Sequence, residues 1–341
     1  MSRQISFVFD LNKCIGCQTC SVACKVLWHQ EEPGADEQWW CSVNTIPGRG
    51  TPRDWEEMGG GYDAHGKVVL GKNPTPEEFG SRSGSAYNWA EVHASAEHVQ
   101  FQPVDGKAEW AMNWDEDEGA GEFPNAYFYY MPRICNHCTK PACLEACPTQ
   151  ALYKRDDFGV VLRDEDRCEG NQACARACPY KKIYFNKVRE IGQHCIGCFP
   201  RMEKNVAPAC VRQCPGRAVF VGYRDEENSP VHKLVDQWEV ALPHHPEFNT
   251  EPNVFYVPPL APFRVAPDGT IEEGERRIPL DLLETEFGPR VGDAIGTLEK
   301  EMARRRNGEP SELMDTLIGY RFEEFLGPFT AEPADIDWRT S

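Results

Sequence analysis

The cysteines of this chain are grouped, and the grouping constrains the fold more than any other feature of the sequence. Of sixteen cysteines in 341 residues, fifteen fall into four short groups. In chain order the groups are Cys14, Cys17, Cys20 and Cys24; Cys135, Cys138, Cys143 and Cys147; Cys168, Cys174 and Cys178; and Cys195, Cys198, Cys210 and Cys214. Disulfides are typical of small secreted domains, whereas this chain is large and its thiols stand in close ladders. The pattern therefore predicts thiolate ligands for metal, inserted in a reducing compartment.

The spacing within the groups favours iron–sulfur clusters over other metal centres. The first group has the ladder C-x2-C-x2-C-x3-C, the third has the same ladder with a gap, and three groups end in Cys-Pro. In such ladders three thiolates bind one iron–sulfur cube, and the fourth binds a neighbouring cube. Zinc needs only C-x-x-C pairs, and a c-type haem needs a histidine directly after C-x-x-C, which this sequence lacks. We expect four iron–sulfur clusters, with structural zinc as the alternative.

A repeated unit surrounds the groups. A short segment with extended character precedes each group, and an apolar segment follows the Cys-Pro of three groups. The preceding segments are 7–10, 127–130, 160–162 and 188–191, and the following ones are 151–153, 183–185 and 218–221. Strand, cysteine loop, short helix and strand form half of a bacterial ferredoxin, and proline ends each helix because it disfavours helical backbone in the preceding residue. The predicted fold class is α+β, with two ferredoxin-like, pseudo-symmetric cluster-binding domains.

The repeat divides the chain into four units. Groups two and three are close in sequence and predict one complete ferredoxin-like domain, with a turn at 156–159 between them. Groups one and four then pair as a second domain that is split by the first. The predicted units are 1–28 plus 188–225 for the split domain, 29–125 for a long irregular insertion, 126–187 for the complete domain and 226–341 for a C-terminal extension.

The C-terminal extension is predicted to be partly helical. Residues 243–267 are rich in proline and favour extended backbone, and the apolar spacing beyond them predicts helices at 278–287, 291–306 and 311–325. The extension either contacts another subunit or forms a cap on its own ferredoxin core.

The split-domain pairing also predicts which thiols share a cluster. Within each pair of groups, the last cysteine of one ladder should cross to the cluster of the other. The predicted ligand sets are Cys14, Cys17, Cys20 and Cys214; Cys195, Cys198, Cys210 and Cys24; Cys135, Cys138, Cys143 and Cys178; and Cys168, Cys174 and Cys147.

The third group departs from the ladder at one position. Asn171 stands where the second cysteine would be, and a neutral amide is a poor substitute for thiolate on iron. The expected result is a 3Fe-4S cluster that lacks one corner, and the alternative is a 4Fe-4S cluster with an oxygen ligand at that iron. Cys41, the sixteenth cysteine, is far away in sequence, and a lone cysteine is more often a small buried apolar residue.

Charge and hydropathy exclude several kinds of partner. The formal net charge is −18, which argues against nucleic acid and against anionic lipid surfaces. No stretch reaches the roughly 18 apolar residues of a membrane span. The first ten residues lack a long apolar region and a cleavage site, so we expect no signal peptide and, for any export, dependence on the signal of another protein.

Several motifs resemble one known family. They are the runs 9–20, 133–138, 178–182 and 195–201, together with the tail segment 250–259. These motifs resemble the iron–sulfur beta subunits of dimethyl sulfoxide reductase-family molybdenum enzymes. The resemblance is to the type II branch, which includes ethylbenzene, dimethylsulfide and steroid C25 dehydrogenases and selenate, chlorate and perchlorate reductases. It extends over nearly the whole chain, including the insertion.

The resemblance implies cofactors, partners and a location. Beta subunits of this branch hold three 4Fe-4S clusters and one 3Fe-4S cluster, with a non-cysteine residue at the position of Asn171. They join a molybdopterin-containing alpha subunit to a haem b gamma subunit. They reach the periplasm folded with alpha, on its twin-arginine signal. The resemblance thus implies a non-catalytic electron-transfer subunit of an oxidoreductase complex, whose substrate and direction lie outside this sequence.

Two other functions remain open from sequence. The first is the beta subunit of another iron–sulfur complex, such as formate dehydrogenase. The second is an enzyme that binds substrate itself at the incomplete cluster near Asn171, which would act as a Lewis acid. The second predicts an open iron and turnover by the isolated chain.

Overall fold

The computed structural model describes residues 3–35, 38–75, 77–79 and 119–333, and its centre is a four-stranded sheet in the order β8-β1-β10-β9. These strands are β1 (Ile5–Asp10), β8 (Val219–Tyr223), β9 (Leu242–Pro243) and β10 (Val254–Val257). β1 pairs antiparallel with β8 and parallel with β10. All six residues of β1 are buried because both faces of the sheet are covered.

Paired strands frame the cysteine groups, and four two-stranded sheets occur among the described residues. They pair β2 (Ser42–Ile46) with β3 (Tyr129–Arg133), β4 (Leu152–Lys154) with β5 (Val161–Arg163), β6 (Tyr184–Asn186) with β7 (Ile191–Gln193), and β11 (Phe263–Val265) with β12 (Ile271–Arg276). The predicted turn lies between β4 and β5, where Gly159 has a φ of 66°. The fourth lead-in strand, predicted at 188–191, begins only at Ile191.

Short helices carry many of the cysteines. They are α1 (Thr19–Trp28), α2 (Ala142–Glu145), α3 (Ala173–Ala177), α4 (Phe199–Met202) and α5 (Ala209–Arg212). α3 ends at Cys178, whose ψ of 112° is extended, and Pro179 follows it. This is the termination that the Cys-Pro motif predicts.

The C-terminal extension packs on the central sheet of its own chain. Its helices are α6 (Pro230–His232), which continues as a π-helical turn at Lys233–Gln237, α7 (Leu280–Phe287), α8 (Val291–Arg306), α9 (Glu312–Ile318) and α10 (Glu323–Leu326). Leu298 of α8 and Leu313 of α9 share one apolar cluster with Val8 of β1 and Phe220 of β8. The extension therefore caps its own core, and its contact with another subunit stays a prediction.

One predicted helix is wrong. The stretch 311–325 was expected as a single helix, but α9 ends at Ile318, Gly319 follows as its C-cap, and α10 begins at Glu323. Gly319 has a φ of 57°, and a Cβ there would lie 2.2 Å from the ring of Phe325. Glycine is the residue that adopts this left-handed backbone without strain, so the chain turns here and folds Phe325 inward.

The described residues of the insertion pack against the rest of the fold. β2 pairs with β3, and a short 3₁₀ helix at Trp55–Met58 buries Trp55. A second 3₁₀ helix of the insertion lies at Glu77–Phe79. A third 3₁₀ helix, Pro246–Phe248, belongs to the C-terminal extension. The acidic run at 115–118, part of the predicted insertion, lies outside the described residues. Within the part of the chain that the structure describes, no helix is both long and apolar enough to cross a membrane.

Candidate iron–sulfur cluster sites

Each cysteine ladder uses the same backbone step. Gly16, Gly170 and Gly197 stand two residues after the first cysteine of their groups and have φ values of 68°, 68° and 65°. His137 occupies that step in the second group, with a φ of 41°. Positive φ reverses the chain, so that consecutive thiols can face one centre. A Cβ at Gly16 would lie 2.7 Å from the ring of Tyr130, so this glycine also permits close packing.

The first site brings group one together with the end of group four. Burial raises the pKa of Cys14 to about 12, and the charges of Cys20, Cys214 and Cys17 raise it further. Burial likewise raises the pKa of Cys214, and the charges of Cys20 and Cys17 add to the effect, so Cys214 lies near group one. Cys17 is solvent-exposed, which places this site at the surface.

The second site joins the last cysteine of group one to group four. Burial raises the pKa of Cys24 far above its usual range, and Cys195 and Cys198 add to the effect. The pKa of Cys210 is raised by burial and then by Cys198, Cys195 and Cys24. All four thiols are buried. The Nε1–H group of Trp28 donates to Cys198 Sγ at 3.1 Å.

The third site is a pocket lined by Cys178, which is buried, and by the partly buried Cys135, Cys138 and Cys143, the set that the crossing rule predicts. Burial raises the pKa of Cys143 strongly, and Cys178 is the next largest cause. Lys182 also lines this pocket. The last cysteine of group three therefore lies with group two.

The fourth site is a pocket lined by Cys147, Cys168, Cys174 and Asn171. Asn171 is exposed, and its Oδ1 accepts a hydrogen bond from the backbone N–H of Ala173 at 2.9 Å. The Arg163 Nη2 donates to Cys174 Sγ at 3.5 Å. The Asn171 carboxamide is thus held by the first turn of α3.

The four sites form a linear series. The charge of Cys20 acts on Cys24, that of Cys195 on Cys135, and that of Cys174 on Cys143. These three electrostatic interactions connect the first site to the second, the second to the third, and the third to the fourth. The thiols of the two central sites are buried or partly buried, while the two outer sites each have an exposed residue, Cys17 at one end and Asn171 at the other.

The donor chemistry fits iron–sulfur clusters. Each site offers thiols, soft ligands that suit iron–sulfur clusters. Burial raises the pKa of most of these thiols, so without a cation they would hold their protons. Metal insertion displaces those protons and compensates the buried negative charge.

Comparison with known proteins identifies the family. A model described as a 4Fe-4S dicluster domain matches residues 126–224. The chain is 51% identical to the chlorate reductase subunit beta of Ideonella dechloratans and to the selenate reductase subunit beta of Thauera selenatis, over 95% of this chain and 99% of each relative. It is 49% identical to the dimethylsulfide dehydrogenase subunit beta of Rhodovulum sulfidophilum, over 96% of this chain and 99% of that relative.

The chain belongs to the beta subunits of the type II dimethyl sulfoxide reductase family. The family resemblance expected from the motifs is therefore confirmed. As a type II beta subunit with a 4Fe-4S dicluster domain, the chain is an iron–sulfur electron-transfer subunit of an oxidoreductase. The predicted α+β class is also confirmed in the mixed helices and strands.

Sequence reasoning missed the role of Cys41 in this beta subunit. Cys41 is buried, and it is hydrogen-bonded to Cys20 of the first site. Once Cys20 binds a cluster as a thiolate, only Cys41 retains an S–H group, so Cys41 is then the donor. Cys41 is not among the residues that line the pocket of Asn171. No local motif indicates this contact, because the two cysteines lie on different segments.

Replacing Cys41 with valine is expected to leave the iron content unchanged and to lower the reduction potential of the first cluster. Hydrogen bonds to cluster sulfurs help to set the potential, and valine fills the site without donating. Stability should fall by about 1–3 kcal/mol, because valine is larger than cysteine and Cys41 is fully buried. Iron analysis and an EPR-monitored redox titration measure both effects. Loss of a whole cluster in this variant would instead make Cys41 a ligand.

Proposed function

We propose that the chain conducts electrons through four iron–sulfur clusters, three 4Fe-4S and one 3Fe-4S, held by the predicted ligand sets. The observation that carries the proposal is the crossed grouping of the thiols. Cys214 lies with group one, Cys24 with group four, and Cys178 with group two, as two-cluster ferredoxin wiring requires. The thiols of Cys147, Cys168 and Cys174 remain for the fourth site beside Asn171.

Equivalent hydrogen bonds support the pseudo-symmetry of the two domains. The backbone N–H of Ala151 donates to Cys147 Sγ at 3.3 Å, and that of Ala218 donates to Cys214 Sγ at 3.3 Å. Both donors stand four residues after the last cysteine of a Cys-Pro ladder. The pairing of β1 with β8 also joins the strand before group one to the strand after group four. These contacts favour a split domain of 1–28 plus 188–225 and a complete domain of 126–187.

The protein controls the clusters through burial, hydrogen bonds and charge. The clusters supply the electron chemistry when they are bound. Trp28, Gly197 and Arg163 each donate to a cysteine sulfur, which stabilises the more negative, reduced state. Burial of all four thiols of the second site keeps water away from this part of the path. Electrons then enter and leave at the two ends that carry exposed residues.

The partners proposed are a molybdopterin-containing alpha subunit and a haem b gamma subunit in a periplasmic heterotrimer. The alpha subunit would dock at the first site, and the gamma subunit at the fourth. Exposed apolar side chains support docking of the alpha subunit at the first site, since Ile15 is 65% exposed and Val26 is 60% exposed beside Cys17. Exposed apolar patches mark interaction surfaces in soluble proteins.

Purification of the intact chain from its native host tests this assembly. We expect it to bring down both partners, with molybdenum and haem in near-equal amounts, and to be exported with alpha. Chlorate, selenate, perchlorate and dimethylsulfide are the first substrates to assay, since relatives bear those names. A chain that isolates alone with full clusters and turns over a small molecule would contradict the subunit assignment and favour catalysis near Asn171.

Lys182 places a buried positive charge between the two central sites. Its Nζ donates to Trp39 O, Ser42 Oγ and Tyr184 OH, each at 3.1 Å, and all three acceptors are neutral. Burial and Arg133 lower the pKa of Lys182 to about 7, while the neighbouring Cys41, Cys195 and Cys24 raise it. The negative charge nearest to this ammonium therefore comes from the cluster sites.

Replacing Lys182 with methionine is expected to lower the reduction potentials of both central clusters. A nearby cation favours the reduced state, and methionine keeps the length of the side chain without the charge. Lys187→Met removes an exposed lysine and is the matched control, because a solvated charge has little effect. EPR-monitored titration of the two variants measures the shift. Equal potentials in both would contradict an electrostatic role for Lys182.

A further inference from the structure

Two histidines and two glutamates converge at a place that the cysteine sites do not use. His244, His245, Glu286 and Glu56 offer ligand atoms that all lie within 4.8 Å of one another. His244, His245 and Glu286 are buried, and Glu56 approaches from the edge with its side chain 42% exposed. Charged groups are seldom buried unless they are paired or bind a metal.

The contacts arrange two imidazole nitrogens against two carboxylate oxygens. His244 Nε2 lies 2.8 Å from Glu286 Oε2, and His245 Nε2 lies 3.3 Å from Glu56 Oε1. Imidazole and carboxylate are ligands that zinc takes at about 2.0–2.2 Å. Closing the four atoms onto one ion requires side-chain shifts on the order of 1 Å.

A second carboxylate holds His245 from behind. Nδ1 of His245 lies 2.6 Å from Glu247 Oε1, so Nδ1–H donates to the Glu247 carboxylate. Histidines that bind a metal commonly donate their other ring N–H to a carboxylate in this way, which fixes the tautomer. Nε2 of His245 then faces Glu56 as a lone pair opposite a negative oxygen. That contact needs a cation, either a proton on Nε2 or a metal ion between the two atoms.

Aromatic rings enclose the four groups. The Trp55 ring lies 5.5 Å from that of His244 and 5.4 Å from that of His245, centroid to centroid. Phe248 stacks on His245 at 4.9 Å. The guanidinium carbon of Arg133 lies over the Trp55 ring, 3.5 Å from its centroid. The rings fix the imidazoles and keep water out, as the surroundings of a metal site do.

We propose that His244, His245, Glu286 and Glu56 bind one structural zinc ion. The four ligands come from three segments: the 3₁₀ helix at Trp55–Met58, the loop before Pro246–Phe248, and α7. The ion ties the insertion to the C-terminal extension. Four protein ligands leave no open position, which is the mark of a structural and not a catalytic zinc site. Two carboxylates balance the charge of the ion.

Zinc content of the iron-loaded chain in its complex tests the site. Elemental mass spectrometry should find one zinc per chain in the unmodified protein and in Glu57→Gln, which alters an exposed glutamate next to the site. Glu56→Gln should weaken zinc binding at least tenfold, with iron content unchanged. Glu56 is partly exposed, so this variant should fold. His244→Gln should lose the ion altogether, although its burial makes folding less secure.

Thermal unfolding gives a second readout. After mild chelation, added zinc should raise the melting temperature of the unmodified chain and of Glu57→Gln, because an ion that binds only the folded state stabilises the folded state. The same addition should have little effect on Glu56→Gln. An unmodified chain that neither contains zinc nor is stabilised by it would overturn the proposal. Zinc retained equally by Glu56→Gln would reside at other groups and would overturn it too.

Discussion

Replacing Asn171 with cysteine is expected to add one iron per chain and to remove the EPR signal of the oxidised 3Fe-4S cluster. The new thiol would stand at the step that Cys17 and Cys198 occupy in their groups, after a glycine with positive φ. The completed cluster should have a lower potential, since cluster type and net charge set it. Iron analysis and EPR of the oxidised complex measure the conversion.

Asn171→Ala is the matched control for this conversion. Alanine removes the hydrogen bond to the Ala173 N–H but adds no ligand, so the 3Fe-4S signal should persist. An unmodified protein with four intact 4Fe-4S clusters would contradict the assignment. Loss of the 3Fe-4S signal in the alanine variant would show that the Asn171 side chain, and not the absent thiol, determines the cluster type.

Cys178 belongs to group three in sequence and Cys147 to group two, but each is expected to bind the cluster of the other group. Removing either cysteine should therefore destroy the cluster of the other group. Cys178→Ser should abolish the 4Fe-4S cluster of group two and spare the oxidised 3Fe-4S signal, because Cys178 lies with Cys135, Cys138 and Cys143. Cys147→Ser should abolish the 3Fe-4S signal, because Cys147 lies with Cys168 and Cys174. Each variant should also lose electron transfer through the chain.

The two variants control for each other. Both replace the last cysteine of a Cys-Pro ladder with the same residue, so a general loss of stability would affect them alike. Low-temperature EPR of the oxidised and reduced complex distinguishes the signals. If Cys178→Ser removes the 3Fe-4S signal and Cys147→Ser spares it, ligands come from consecutive cysteines and the crossed wiring is wrong.

The backbone course of the cysteine loops was predictable because its information is local. A ladder with fixed spacing, a glycine that allows positive φ and a proline that ends the helix together specify each loop within about a dozen residues. The helix at Val291–Arg306 was predicted to the residue, because its apolar face repeats regularly. The pairing of groups one and four followed only from symmetry.

Long-range contacts were not predictable in the same way. β2 lies in a segment without clear periodicity, and it is specified by its pairing with β3 far along the chain. The Cys41–Cys20 bond and the buried charge of Lys182 depend on segments that meet only in the folded protein. The His-His-Glu-Glu cluster draws on three distant segments, so no sequence motif marks it. Gly319 was a local signal for the break between α9 and α10 that the helical pattern obscured.

Rapid freeze-quench EPR of the purified complex tests the central claim most directly. The complex is reduced with dithionite, separated from excess reductant and mixed with the oxidised substrate of its catalytic partner. The account predicts that all four clusters of this chain reoxidise no more slowly than the enzyme turns over, and that the 3Fe-4S signal appears with them. Clusters that stay reduced while product forms would contradict a role for this chain in conducting the electrons.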